Sequence, residues 1–105
     1  MNQSDAVTAL AALAQPHRLA AFRALVQAGP EGLSVGELRE ALGLAPATLT
    51  GHLNVLRHAG LVHDTREGRS IRVHAALDRM DALVAYLTEN CCGGQPCAPP
   101  PPACC

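Results

Sequence analysis

The chain has no cysteine in its first 90 residues, no lysine or tryptophan anywhere, and one phenylalanine and one tyrosine among its 105 residues. Its core must therefore be built from Leu, Val and Ala, a composition that favours closely packed helices. No apolar run is long enough to cross a bilayer, and no basic segment opens the sequence. We expect one small domain in a soluble, cytoplasmic protein with no membrane partner.

The sequence also lacks a recognisable catalytic arrangement. Its serines, Ser4, Ser34 and Ser70, fall where helix caps or a strand explain them. There is no glycine-rich phosphate loop, and no pair of carboxylates falls in a plausible pocket. We therefore predict that the protein is not an enzyme.

Two amphipathic helices are predicted at the start of the chain. Ser4 is the candidate cap of the first helix. The second helix begins at Pro16 and ends at Gly29 and Pro30. The first helix has an apolar stripe of Val7, Leu10 and Leu13, and the second a buried stripe of Leu19, Phe22, Leu25 and Val26.

A helix-turn-helix is predicted in the middle of the chain. Ser34 and Glu37 have the spacing of a capping box, which begins a short third helix, and Gly43 ends it. A fourth helix begins near Ala47. Two short helices joined by about four residues that include a glycine make this motif. The fourth helix is predicted to bury Leu49, Leu53 and Leu56.

The segment that follows alternates apolar and polar residues, which predicts a β-hairpin. Ile71, Val73 and Ala75 alternate with Arg72 and His74, and the segment REGR supplies the turn. Helical spacing returns at residue 77, and we expect the glycine pair at residues 93–94 to end this last helix.

These elements together predict a mainly α fold with a small β-hairpin, a winged helix-turn-helix. The first and last helices have apolar stripes that so small a body cannot cover, which predicts a homodimer formed through these two helices. We assign residues 1–92 to a DNA-binding and dimerisation domain. Residues 93–105 are predicted to form a flexible sensor tail rich in cysteine and proline.

A net positive charge is found only in residues 46–76, which hold four arginines against two acidic residues, whereas the segments before and after are net negative and the whole chain has a net charge of −1. Double-stranded DNA is therefore the expected partner. The second helix of the motif reads base edges in the major groove, and arginines contact phosphates or enter the minor groove. The predicted DNA-binding residues are Ala47, Thr48, Thr50, Gly51, Asn54, Arg57, Arg66, Arg69 and Arg72.

All five cysteines lie in the closing segment NCCGGQPCAPPPPACC. Adjacent thiols are unusual for structural zinc, which prefers Cys-x-x-Cys pairs and four ligands. Trivalent arsenic or antimony needs only three converging sulfurs, which Cys91, Cys92 and Cys97 supply if the chain folds back at the glycines. Neighbouring side chains on a helix diverge by about 100°, so such binding should unwind the last helical turn. Cys104 and Cys105 could join the same ion, bind another, or pass ions inward.

Three segments resemble the ArsR/SmtB family of metal-responsive winged-helix repressors. They are LAALAQPHRLAAFRAL, LSVGELREALGLAPATLTGHLNVLRHAGLV and REGRSIRVHAAL, and the resemblance covers about residues 6–92. It implies a homodimer that binds an imperfect palindrome in operator DNA and leaves it when a metal binds. The segment AYLTENCC with a downstream cysteine resembles one branch of arsenite repressors, which implies Cys91, Cys92 and Cys97 as inducer ligands. Cys104 and Cys105 go beyond that pattern.

Two other sensor sites of the family are not matched. Ser34, Val35 and Gly36 stand where the common arsenic site has Cys-Val-Cys, and no histidine follows Asp78 and Asp81 as the zinc site requires.

The expected function is therefore a metalloid-responsive repressor of arsenic-resistance genes. As(III), Sb(III) or a methylated As(III) would be the inducer, and no organic cofactor is expected. Three alternatives stay open. They are a thiol redox switch, a repressor that responds to zinc, cadmium or copper, and a metal-handling protein whose winged helix binds a protein partner.

Overall fold

Leucine and alanine side chains from every helix meet in one core in the computed structural model, which describes residues 1–94. The regular elements alternate helices with a small antiparallel sheet, as the sequence predicts. In chain order they are α1 (Gln3–Leu13), α2 (Pro16–Ala28), β1 (Leu33–Ser34), α3 (Val35–Leu42), α4 (Pro46–His58), β2 (Val62–Glu67), β3 (Ser70–Ala75) and α5 (Leu77–Leu87), with 3-10 turns at Gly29–Glu31 and Cys91–Gly94. No helix within residues 1–94 has the length and apolar character needed to cross a membrane.

The ends of the first two helices follow ordinary capping chemistry. The prediction that Ser4 caps α1 is wrong, because the side-chain oxygen of Asn2 accepts from the backbone N–H of Asp5 and the helix begins earlier. The predicted boundaries of α2 are confirmed. Pro16 occupies its first turn, and Gly29 ends it at a positive φ of 76°.

α1 packs on the body through alanines and Leu13, whereas the other two residues of its predicted apolar stripe face outward. Ala6, Ala9 and Ala12 are buried, whereas Val7 and Leu10 are 57% and 43% exposed. Small side chains let the backbone of α1 approach the other helices closely. This packing leaves the larger residues on the opposite side of the helix.

The buried face of α2 is narrower than predicted. Phe22 and Leu25 are buried as expected. The prediction is wrong for Leu19 and Val26, which are 44% and 40% exposed. Ala21 is completely buried and completes the inner face of the helix.

The helix-turn-helix is confirmed. Ser34 Oγ accepts from the backbone N–H of Glu37 at 3.1 Å, and Glu37 Oε1 accepts from the backbone N–H of Ser34 at 2.9 Å. Gly43 ends α3 in the left-handed conformation that only glycine adopts at low cost. α4 buries the three predicted leucines, Leu49, Leu53 and Leu56.

The predicted hairpin belongs to a three-stranded sheet with the order β1-β3-β2. β2 and β3 pair up to Glu67 and Ser70, so Gly68 and Arg69 form a two-residue turn. On β3, Val73 is fully buried, whereas Ile71 is 38% exposed. The short strand β1 was not predicted, because two residues are too few to show an alternating pattern.

The loop between α2 and β1 is tied to β3 by side chains and by close backbone packing. Arg72 Nε donates to the carbonyl of Glu31 at 2.9 Å, and Arg72 Nη2 donates to the carbonyl of Gly32 at 3.1 Å. His74 Nδ1 lies 3.0 Å from the carbonyl oxygen of Pro30. These contacts attach the hairpin to the helical body.

α5 ends earlier than predicted, at Leu87, so the glycine pair at residues 93–94 does not end it. Thr88 Oγ1 donates to the carbonyl of Val84 at 2.9 Å, which satisfies an acceptor at the end of the helix. Asn90 and Cys92 then adopt positive φ angles of 55° and 56°, which a helix cannot contain.

Substituting Gly32 and Gly29 tests the packing of the loop against β3. Gly32 (φ 64°, ψ −160°) and Gly29 (φ 76°, ψ −156°) share a glycine-only conformation, so alanine costs about 1–3 kcal/mol at either position. A Cβ at Gly32 would overlap the carbonyl oxygen of Val73, whereas at Gly29 nothing lies within 4 Å. We expect Gly32→Ala to lower the free energy of unfolding by at least about 1 kcal/mol more than Gly29→Ala in urea denaturation. If the two substitutions lowered the free energy of unfolding equally, this result would contradict the close packing of Gly32 against β3.

Candidate nucleic-acid interface

The outer face of α4 is polar, small and exposed. The buried leucines recur with the 3.6-residue period of a helix and therefore share one face of α4. The polar residues between them lie on the opposite face. A Cβ added at Gly51 would meet nothing within 4 Å, so no packing contact requires glycine there. Because Gly51 has no side chain, another molecule can approach the backbone of α4 closely at this position. The α4 residues that were predicted to read bases are all exposed; they are Ala47, Thr48, Thr50, Gly51 and Asn54.

Arg57 joins α4 to the hairpin. Its Nε lies 3.0 Å from a carboxylate oxygen of Asp64 on β2, and its Nη1 donates to Asn54 Oδ1 at 3.0 Å. The second contact fixes the side-chain amide of Asn54, whose N–H groups remain able to donate to a base. In this arrangement Arg57 holds α4 against the hairpin. The sequence did not reveal Asp64 as its partner, since the pairing depends on tertiary structure.

Arg72 lies at the base of the hairpin. Besides its two carbonyl acceptors, it approaches carboxylate oxygens of Glu37 and Glu67 at 3.6 and 3.8 Å, and 27% of its side chain is exposed. The hydrogen bonds of the capping box, and to a smaller extent Arg72, lower the pKa of Glu37. A guanidinium with these partners anchors the hairpin. The predicted contact between Arg72 and phosphate stays a prediction.

Arg66 and Arg69 are the predicted arginines that reach solvent at the tip of the hairpin. Both are exposed, and Arg69 belongs to the two-residue turn. Within residues 1–94, no carboxylate lies within 4.0 Å of either guanidinium. Their charge is therefore available to phosphates or to a minor groove.

Two histidine pairs flank the interface. His52 of α4 lies 5.6 Å from His17 between ring centroids, and it is half-buried. His63 and His74 stack at 5.1 Å across β2 and β3, and Thr65 Oγ1 lies 2.7 Å from His74 Nε2. The second pair could have been inferred from the hairpin register, which places the two residues directly opposite each other.

The first two cysteines follow α5 on an exposed 3-10 turn. Cys91 and Cys92 are both exposed, while Cys97, Cys104 and Cys105 lie outside the described residues. The prediction that a bound ion unwinds the last turn of α5 is wrong, because the helix has already ended at Leu87. The backbone of Cys92 is left-handed (φ 56°), so the two cysteines are not neighbours on a regular helix, where their side chains would diverge by about 100°. Residues 1–94 contain no group of three or more His, Cys, Asp and Glu arranged to hold a metal ion.

Comparisons with known proteins agree with this geometry. A family model described as a helix-turn-helix domain matches residues 13–65. The chain is 37% identical over 83 residues to the biofilm growth-associated repressor of Agrobacterium fabrum. This alignment covers 79% of this chain and 68% of that protein. It is 32% identical over 91 residues to the transcriptional activator HlyU of Vibrio cholerae. This second alignment covers 87% of this chain and 82% of that protein.

A solved structure extends the comparison. The homodimeric winged helix-turn-helix DNA-binding domain of Mb0332 from Mycobacterium bovis, a possible ArsR-family regulator, aligns with a TM-score of 0.66 at 25% identity. The alignment covers 88% of this chain and 85% of that one. Fold and site thus define a winged helix-turn-helix DNA-binding protein of the kind that regulates transcription. Within this class, the chain belongs to the ArsR family.

Protonation of His52 should destabilise the fold. Burial, and then the charges of Arg18 and His17, hold the pKa of His52 below its ordinary value of 6.5. The unfolded chain therefore binds this proton more readily, and stability falls as the pH drops below 6.5 toward the folded pKa. As the pH is lowered from about 8 to about 5, we expect the free energy of unfolding to fall less in His52→Gln than in the wild type, as measured by urea denaturation. An identical pH dependence in both proteins would contradict this assignment.

Proposed function

We propose that the protein is a homodimeric repressor that binds operator DNA and is released by a trivalent metalloid. As(III) is the proposed inducer, with Sb(III) or a methylated As(III) as further members of the class. Release derepresses arsenic-resistance genes in the cytoplasm. The observation that carries the proposal is the combination of an exposed polar α4 face with two adjacent exposed cysteines shortly after α5.

Exposed apolar side chains on α1 and α5 support the homodimer. Val7 and Leu10 on α1, and Val84 and Leu87 on α5, are between 43% and 57% exposed. Large apolar residues exposed together on two helices mark an association surface. The relative from M. bovis, described as homodimeric, agrees with this assignment.

The dimer positions two copies of α4 on one face of the DNA. Each α4 enters a major groove with Thr48, Thr50 and Asn54 toward base edges, while Arg66 and Arg69 contact the neighbouring backbone. A two-fold dimer requires an imperfect palindrome whose half-sites lie about one helical turn apart. Repression follows when this operator overlaps the promoter.

The thiols supply the sensor. Trivalent arsenic binds three thiolates, and we assign these to Cys91, Cys92 and Cys97. Leu87 of the proposed dimer surface lies four residues before Cys91, so an ion held there acts on the chain next to this surface. By linkage, DNA must weaken metalloid binding by the same factor. A tenfold loss of operator affinity corresponds to about 1.4 kcal/mol of coupling.

The two kinds of DNA contact make different predictions for substitution. Arg69→Ala removes a phosphate contact, so affinity should fall for all sequences and the slope of log K against log salt should decrease by about 1. Thr50→Ala should instead cost about 1–3 kcal/mol on the operator and little on other DNA. Fluorescence anisotropy with operator and scrambled duplexes at several salt concentrations measures both. If Arg69→Ala lost affinity for the operator and not for the scrambled duplex, this result would contradict the proposal that the hairpin contacts the DNA backbone.

The inducer is tested by titrating arsenite into the protein–operator complex in reductant. We expect the wild type to leave the DNA, and a variant with Cys91, Cys92 and Cys97 changed to Ser to remain bound. The matched control changes Cys104 and Cys105 to Ser and should still be released. Because protons compete for thiolates, release should need more arsenite as the pH falls from about 8 to about 5. Persistent binding of the wild type would exclude arsenite as the inducer.

A thiol redox switch is the second candidate, because Cys92 is disulfide-bonded in the structure. In that case peroxide would release the operator without any metalloid, and a dithiol reductant would restore binding. Release by arsenite under reducing conditions distinguishes the first candidate from the second.

A further inference from the structure

Three side chains connect the hairpin to the exposed face of α4. Arg57 Nε lies 3.0 Å and 3.2 Å from the two carboxylate oxygens of Asp64 on β2, and Arg57 Nη1 donates to Asn54 Oδ1 at 3.0 Å. The side chains of Arg57 and Asp64 are 28% and 34% exposed, and Asn54 belongs to the face that is proposed to read bases. One guanidinium therefore joins the hairpin to a base-reading side chain.

The contact with Arg57 determines which atoms of the Asn54 amide are left for another molecule. A guanidinium can only donate hydrogen bonds, so the amide atom that faces it is the oxygen and not the nitrogen. Within residues 1–94, the NH2 group of Asn54 has no acceptor of its own. Asn54 therefore presents two N–H donors, while its oxygen is already engaged by a cation.

Asp64 keeps the guanidinium of Arg57 in this place. Hydrogen bonds between a guanidinium and a carboxylate are among the stronger ones in proteins. An arginine side chain without such a partner samples many rotamers, and loss of its contact would leave the Asn54 amide able to rotate. Asp64 thus acts on Asn54 through Arg57.

An asparagine whose amide is unconstrained and one whose oxygen is engaged are complementary to different bases. The unconstrained amide pairs with adenine in the major groove, because it accepts from N6 and donates to N7. Guanine presents two acceptors, N7 and O6, at the corresponding positions. The N–H donors of Asn54 beside a guanidinium therefore match guanine, whereas the N6 amino group of adenine would face other donors and a positive charge.

We propose that Arg57, held by Asp64, is a positioning residue that directs Asn54 toward guanine. Each half-site of the operator then carries guanine at the base pair that meets Asn54, and a contact from the hairpin sets a base preference on α4. This inference rests on the proposed function, because it requires Asn54 to reach a base edge. It adds the base that is read and the two side chains that select it.

Binding sites selected from a randomised duplex pool by the wild type and by Asn54→Ala identify the base pair that Asn54 reads. Fluorescence anisotropy is then measured on duplexes that differ only at this base pair in one half-site. We expect the wild type to bind the guanine duplex at least about tenfold more tightly than the adenine duplex. In Arg57→Met this ratio should fall to about threefold or less, because the amide is able to present its oxygen as well.

Two further variants separate positioning from charge. Asp64→Ala removes a negative charge and keeps every arginine, so affinity for both duplexes should not fall by electrostatics, yet the ratio should fall as it does in Arg57→Met. The matched control is Arg66→Met, the same chemical change at an exposed arginine with no carboxylate within 4.0 Å in the described part of the chain. It should weaken binding to both duplexes and leave their ratio at the wild-type value.

The outcomes distinguish this inference from the proposed function. If the wild type selects no sequence, or if Asn54→Ala changes no base preference, base reading by Asn54 and the inference both fail. If the wild type prefers adenine at this base pair, or if Arg57→Met and Asp64→Ala keep the wild-type ratio, the inference alone fails. A partly unfolded variant would lower both affinities by the same factor, so the ratio tests the proposal even then.

Discussion

Burial of Leu49, Leu53 and Leu56 determines which side of α4 meets the solvent, and the rest of the interface depends on this. These leucines contribute to one core with side chains from the other helices and the sheet. Replacing one buried leucine by alanine typically costs about 2–5 kcal/mol, a large part of the total stability of a small domain. The same contacts that stabilise the fold therefore hold the polar face of α4 outward.

Side-chain contacts attach the hairpin to this helical body at its base and at its side, away from its tip. At its base, Arg72 and His74 bind the carbonyls of the loop before β1. At its side, Asp64 pairs with Arg57 of α4. Arg66 and Arg69 lie beyond both attachments, where their charges are not neutralised by a carboxylate within the described part of the chain. The hairpin thus combines a fixed position with a solvent-exposed basic tip.

The features that the sequence predicted correctly are those that local pattern determines. The capping box at Ser34 and the leucine spacing of α4 need no information from distant residues. The buried side of α1 was not predictable in this way, because Ala, Val and Leu occur around most of the helix. Close packing selected Ala6, Ala9 and Ala12 over larger neighbours. The partners of Arg57 and Arg72 likewise depend on chain segments that only the tertiary fold brings together.

The exposed positions of α4 have a consequence for how such a regulator diverges. Ala47, Thr48, Thr50 and Gly51 are exposed, and they alternate with leucines that cannot change without loss of the core. Mutations at the outward positions therefore carry little penalty for folding. With this face as the proposed base-reading surface, one copy can acquire new target genes after gene duplication through a few substitutions, while its product still folds as its ancestor did.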